Sequence, residues 1–339
     1  MLGKIRVFFR CVGSMSLRRM FMYIGKIHEE TGVSRIRTFF DMVWCALHYG
    51  VGYLDYRVFG FAKIRGKRRK TYMTMNHNLA LARKLNNSDY YRCFQNKIMF
   101  NQRFASYLHR DYMVLYEGKA KELEAFCRGR ETVFVKTPGS FGGQGVEKIA
   151  LSPGIDYRVL YERLVHAGQL LVEETLRQHE QMNRLCERSI NTVRIVTLLV
   201  DGKAQVLYAL LRMGNGVKAV DNISSGGLYT MVDGHGVLSD VAFCDKTGEY
   251  YKEHPFTHTS FAGFRIPYFE EACAMCCEAA LVEPHVGYVG WDVAIMPEGP
   301  ALVEGNHLPG YDMCQNAAFT KDGIGMLPRL ETILGTPVK

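Results

Sequence analysis

The chain of 339 residues is 47% hydrophobic and 22% charged, an ordinary globular composition that excludes disordered, collagen-like and disulfide-scaffold classes. Its formal net charge of +8 is concentrated at one end, since residues 1–70 carry 15 Lys and Arg against 4 Asp and Glu and the remainder is net negative. Ten cysteines are scattered, and the single Cys-x-x-Cys pair, Cys273 and Cys276, lacks the partners of a four-ligand zinc site, so they read as reduced thiols of a cytoplasmic protein.

Residues 1–75 read as a basic, aromatic-rich helical region. Its longest helical candidate, Ser34 to Leu54, carries Arg35, Arg37, Asp41 and His48 and is a poor membrane span. Met1 to Arg19 has charges at positions 4, 6, 10, 18 and 19 and no apolar core of signal-peptide length. Three roles fit this region: peripheral contact with an anionic membrane surface at its inner face, packing on the rest of the chain, or a grip on an anionic substrate. The basic run Lys63 to Lys70 reads as a connection, and it has no recognised module around it that would indicate a nucleic-acid partner.

Residues 76–130 continue helically through Leu79 to Asn86 and Lys97 to Leu108. From 131 the pattern changes. Glu131 to Lys136 reads as a buried strand, Val146 to Leu151 as a second, and the loop between them carries Gly139, Gly142, Gly143 and Gly145. No helix follows these glycines, so neither a dinucleotide fingerprint nor a Walker loop fits. The loop is either a plain glycine-rich hairpin or a nest of amides for phosphates, with Lys136 as a point charge at the strand end. A helix near Asp156 to His166 precedes the apolar run Gln169 to Glu174, whose Glu173 and Glu174 are a strand end or a hinge beside a nucleotide.

Ser189 to Val200 is a strand, turned at Asp201-Gly202 into a second from Ala204 to Arg212. Arg194 sits among β-branched residues and needs an anion, either a structural carboxylate or a phosphate, because an unpaired buried charge is costly. A helical run follows at Phe269 to Val282. Farther on, Trp291-Asp292 and Leu302-Val303-Glu304-Gly305-Asn306 lie on two short apolar segments. Glu304 and Asn306, two apart, share one side of a strand, and Asp292 on a neighbouring strand can meet them to form a magnesium site. A last helix near Met326 to Leu334 is ended by Gly335 and Pro337.

Taken in order, these segments resemble the ATP-grasp superfamily. More narrowly the chain is similar to the sugar-transfer-associated ATP-grasp family of polysaccharide biosynthesis, through residues 189–199 (SINTVRIVTLL), 220–233 (VDNISSGGLYTMVD), 289–295 (VGWDVAI) and 302–315 (LVEGNHLPGYDMCQ). The resemblance implies an α+β ATP-grasp fold, two lobes clamping a nucleotide, preceded by the basic helical region. It divides the chain into residues 1–75, a helical lead-in at 76–130, a small lobe at 131–185, a large lobe at 186–325 and a tail at 326–339.

The resemblance also implies roles. Lys97 and Lys136 contact ATP, and Gly139, Ser140, Gly142, Gly143 and Gly145 close over the triphosphate. Glu173 and Glu174 sit at adenine and ribose. Arg194 and Arg212 hold the γ-phosphate with Asn222 nearby, and Asp292, Glu304 and Asn306 bind one or two Mg2+ ions. The implied enzyme is a ligase joining a carboxylate to an amine or hydroxyl through an acyl phosphate, on a small molecule or glycan precursor. The same cradle also suits a phosphotransferase acting on a sugar. Many ATP-grasp ligases begin with a doubly wound α/β domain, which residues 1–75 do not show, so His254, His258 and Arg265 are the candidates for an acidic acceptor.

Overall fold

The computed structural model describes residues 16–140, 144–216, 226–320 and 322–338. Helix α1, Leu17–Thr31, buries Met20, Tyr23, Ile24 and Ile27, a three-and-four spacing that puts them on one face. Ser16 caps its start by accepting from the Arg19 amide, and Gly32 ends it in the left-handed region at φ 71°. Helix α2, Arg35–Tyr49, buries Thr38, Met42 and Cys45. Helices α3, Tyr53–Val58, and α4, Met75–Leu85, follow. The chain divides into two compact units, Met1–Lys84 with Gly310–Lys339, and Leu85–Pro309.

In the first unit the basic run Lys63 to Lys70 is more than a connection. A 3-10 turn at Gly66–Thr71 carries Arg69 into the interior. There its guanidinium donates to both Asp41 oxygens at 2.9 and 2.6 Å, to the Ile64 carbonyl at 2.7 Å and to the Phe61 carbonyl at 2.5 Å. Tyr56 also donates to Asp41, at 2.6 Å. Burial alone would push the Asp41 carboxyl up, but Arg69 and Tyr56 outweigh it and hold it below the ordinary value. Gln315 fastens the returning segment to Met73, accepting from its amide at 2.7 Å and donating to its carbonyl at 2.9 Å. Helix α11, Leu327–Leu334, completes this unit and ends at Gly335 with φ 62°.

The second unit contains helices α5 to α10: Arg92–Gln95, Lys97–Arg103, Ala120–Cys127, Tyr157–His166, Glu180–Asn183 and Phe269–Val282. A four-stranded antiparallel sheet is ordered β1-β4-β2-β3, from Tyr112–Val114, Leu171–Glu174, Thr132–Lys136 and Val146–Ala150. Along β2 the burial alternates, so Val133 and Val135 join Leu123, Cys127 and Leu164 in a core under α7 and α8. Phe134 and Lys136 take the other face.

The larger sheet, also antiparallel, runs β11-β10-β5-β6-β7-β8-β9. Its long strands are β5, Thr192–Val200, β6, Lys203–Met213, β10, Tyr288–Met296, and, at one edge, β11, Gly299–Asn306. The short outer strands are β7, Leu228–Val232, β8, Ala242–Cys244, and β9, Glu249–Tyr251. Helix α10 contributes Ala272, Cys276 and Ala279 to the main core with Val193, Ile195, Leu211 and Trp291. The expected α+β class is the observed one. Gly142, Gly143 and Asn222 lie outside the described residues.

Asp55 in the first unit gives a stability prediction. It is buried and accepts from the Tyr311 hydroxyl at 2.9 Å. Burial first, and then the charge of Asp312, push its carboxyl up from 3.8 to about 7. The folded form thus keeps a proton that the unfolded chain releases. Stability falls by about 1.4 kcal/mol per pH unit between those two values and then levels off. Asp55→Asn removes this loss, so its unfolding midpoint relative to the parent should rise between pH 5 and pH 8. A gap that is constant with pH would show that Asp55 is already ionised in the fold.

Candidate active site

The four long strands of the large sheet sort their side chains by alternation. Val193, Ile195, Leu211 and Val293 enter the core, so Arg194, Arg212 and Asp292 take the opposite face. Arg194 on β5 is directly opposite Asp292 on β10, and Asp292 is opposite Glu304 on β11. Asn306 is opposite Gly290, on the same side as Glu304. A β-bulge between Asp292 and Val293 leaves Val303 as the extra residue of β11 and keeps Glu304 beside Asp292. A side chain at Gly290 would come within 3.2 Å of Arg194 Cδ and 2.8 Å of Pro309, so the glycine clears the path of the arginine stem.

The anion that Arg194 requires is a carboxylate. Arg194 Nη2 donates to Asp292 Oδ2 at 2.9 Å, its Nε donates to Oδ1, and Arg212 Nη1 donates to Oδ2 at 3.0 Å. Burial alone would raise the Asp292 carboxyl, but the two guanidiniums hold it well below the usual carboxylate range. Glu304 goes the other way: burial, then the neighbouring charge of Asp292, push it up.

This face borders a small cleft of about 70 Å³ lined by Lys97, Lys136, Ser140, Glu173, Glu304 and Asn306, with Phe94 and Phe100 among its apolar walls. Lys97 opens helix α6, whose N-cap Asn96 accepts from the Ile98 and Met99 amides at 3.0 and 3.2 Å. The Lys97 ammonium donates to the Ser140 carbonyl and, at 3.2 Å, to its hydroxyl. Burial lowers its pKa; Lys136 lowers it further and Glu304 opposes both. Across the glycine loop, Thr137 donates to the Gly145 carbonyl at 2.9 Å. Gly145 has φ 65°, and a Cβ there would strike Thr137 Oγ1 at 2.6 Å, so the position demands glycine.

Glu173 lies at the cleft but is already occupied. Lys136 pairs with it, Asn101 donates to it at 2.7 Å, and Arg110 lies 3.2 Å away. Burial would raise its carboxyl, yet Arg110 and Lys136 together hold it well below the usual range. Glu174 accepts from the Asp111 amide at 3.1 Å and is not among the residues lining the cleft. Arg110 and Asn101 were missed by sequence reading. Arg110 also donates to the Leu302 and Val303 carbonyls of β11, a role that no local spacing signals.

His254, His258 and Arg265 are not brought to the cleft. His254 is buried, with Nε2 2.8 Å from the Gly214 carbonyl and Nδ1 accepting from the Phe256 and Thr257 amides, which makes it an organiser of its own loop. His258 is exposed and lies beside Glu253, and Arg265 donates to the His235 carbonyl.

The donor set suits magnesium in part. Asp292 is engaged by two arginines, leaving Glu304 and Asn306 as oxygen donors on the cleft, and magnesium at phosphates needs only one or two carboxylates. Among the described residues no group of three or more His, Cys, Asp or Glu could hold a metal by itself.

The sequence matches the family described as sugar-transfer associated ATP-grasp over residues 75–334. No curated protein matches it. Among solved structures, the D-alanine-D-alanine ligase from Coxiella burnetii is 11% identical, over 73% of this chain and 57% of that one, with a TM-score of 0.42. An N5-carboxyaminoimidazole synthetase from Staphylococcus aureus complexed with ADP is 9% identical, over 69% and 52%, with a TM-score of 0.42. The ATP-grasp ligase PsnB with a variant of its minimal precursor, Mg and ADP is 14% identical, over 72% and 59%, with a TM-score of 0.40. The chain thus spans little more than half the length of these structures.

The two carboxylates of the sheet should respond oppositely to neutralisation. Asp292→Asn strands two buried guanidiniums and should cost about 3–5 kcal/mol in denaturant unfolding. Glu304→Gln removes a like charge from beside Asp292 and should leave stability equal or higher. Equal losses in the two variants would contradict the pairing described.

Proposed function

The chain belongs to the sugar-transfer associated ATP-grasp family, and from that premise we propose that it is an ATP-dependent ligase that activates a carboxylate as an acyl phosphate. The observation that carries this reading is that one cleft is lined by two lysines, Lys97 and Lys136, together with an acid and an amide, Glu304 and Asn306. Polyphosphate needs cationic groups around its oxygens and a partial oxygen shell for its metal, and phosphoryl transfer asks for little else. Magnesium, held by Glu304 and Asn306, would neutralise phosphate charge.

The residues then divide the work. Lys97, tied to Ser140, places its ammonium beside the glycine loop, and Lys136, held by Glu173, adds a second positive charge for the phosphates. Arg212 and Arg194, fixed by Asp292, present guanidinium charge where the γ-phosphoryl group develops charge in transfer. A carboxylate oxygen takes the γ-phosphoryl group and ADP leaves. An amine or hydroxyl then attacks the acyl carbon, releasing inorganic phosphate. The acceptor we favour is a glycan precursor, in keeping with the family's association with sugar transfer, and a cytoplasmic reaction, where ATP is supplied, is part of the same proposal.

Phosphorus NMR with ATP, magnesium and pooled acids, amines and sugars tests the scheme. ADP and inorganic phosphate should accumulate only when an acid and a nucleophile are both present. Asn306→Ala should raise the magnesium requirement about tenfold or more. A stable new phosphomonoester would instead make the protein a kinase and overturn the ligase reading.

A further inference from the structure

The first unit exposes an apolar stripe that the proposed chemistry does not use. On α2, Ile36, Phe40, Trp44 and Leu47 follow one another at spacings of four, four and three, the period of a single helix face. They are 71%, 65%, 46% and 54% exposed. Leu17 and Phe21 on α1 are also exposed, and the Phe21 ring stacks on Phe39 with centroids 6.3 Å apart, joining the two helices into one patch. A monomer rarely leaves so contiguous an apolar surface to water without a use for it.

The charges around the patch identify its partner. Residues 16–70 carry 12 Lys and Arg against 4 Asp and Glu. Three of those acids are engaged within the unit, Glu30 by Arg57, Asp41 by Arg65 and Arg69, and Asp55 by Tyr311, and the fourth, Glu29, borders the patch together with Lys26 and Arg35. Arg18, Arg35 and Arg37 are exposed and adjacent in sequence to the apolar positions. A second copy of the chain would set this cationic surface against itself, whereas an anionic bilayer offers both acyl chains and phosphate charge. Each helix has 15 residues, so each is roughly 22 Å long, short of the ~30 Å needed to cross a hydrocarbon core. Among the described residues no helix is long and apolar enough to cross a membrane.

We propose that the exposed face of α1 and α2 is a docking surface for an anionic lipid bilayer. Phe21, Ile36, Phe40, Trp44 and Leu47 enter the boundary between headgroups and acyl chains, and Arg18, Arg35 and Arg37 meet lipid phosphates. The helices lie in the plane of the interface.

The chain carries its own probe, because of its two tryptophans Trp44 is 46% exposed and Trp291 is fully buried. Full-length protein is mixed with vesicles of phosphatidylcholine alone or with 30% phosphatidylglycerol, and tryptophan emission and co-sedimentation are recorded at low and at 0.5 M salt. The expected result is a blue shift and co-sedimentation with the anionic vesicles, at least tenfold weaker with neutral ones and weakened by salt. Trp44→Phe should sediment like the parent while losing the shift. The double variant Ile36→Ser with Phe40→Ser, both solvent-exposed positions, should lose at least tenfold in vesicle affinity with an unchanged circular dichroism spectrum. No shift and no sedimentation with anionic vesicles overturns the proposal. So does equal binding to neutral vesicles, and so does a blue shift that follows protein concentration without vesicles, which would assign the face to a second copy of the chain.

Discussion

One buried carboxylate, Asp292, governs the polar face of the large sheet. An ionised carboxylate out of water is tolerated only if paired, and Asp292 meets that condition by accepting from arginines on two different strands. The demand fixes register as well as charge. A slip of one residue between β5 and β10 would turn Arg194 into the core and Val193 and Ile195 out of it, so the ion pair and the apolar face enforce the same pairing. The bulge at Val303 and the missing side chain at Gly290 are the local adjustments that let Glu304 and the Arg194 stem share that face.

A second buried cluster, around Glu173, links the small sheet to the large one. Glu173 comes from β4, Lys136 from the end of β2, Asn101 from α6 and Arg110 from just before β1, so one carboxylate organises four segments. Arg110 extends the link by donating to backbone carbonyls of β11. The cleft is therefore lined by two lysines with an acid and an amide, held by groups whose own hydrogen bonds are largely satisfied. Such preorganisation is what phosphate recognition rewards, because charge stabilisation then needs little reorganisation when a ligand arrives.

The first unit depends on a comparable buried pair, Arg69 with Asp41, but spends its remaining surface differently. Its helices use one face for packing and leave the other apolar and basic. Helical period alone makes both faces legible: Met20, Tyr23, Ile24 and Ile27 mark the packed side of α1, and Ile36, Phe40, Trp44 and Leu47 mark a second stripe on α2. Period does not say which stripe is covered. Arg69 was equally hidden, since the run Lys63 to Lys70, six of whose eight residues are basic, reads as a connection and its partner Asp41 lies 28 residues away.

The sequence by itself determined the strands β2, β3, β5 and β6, the helix at 269–282, the glycine loop between β2 and β3, the placement of Glu304 and Asn306 on one side of β11, and the order of motifs that carries the family. These are local properties, set by periods of 2 and 3.6 residues and by the conformational freedom of glycine. Tertiary structure alone decided how the charges are shared out. It gave Asp292 to Arg194, 98 residues away, and turned Glu174 off the cleft. It also sealed His254 inside its own loop and brought Arg110 to Glu173. Those outcomes follow from desolvation. A buried polar group takes whichever partner the folded chain brings within reach, and that reach is set by strand pairing and packing between segments remote in sequence.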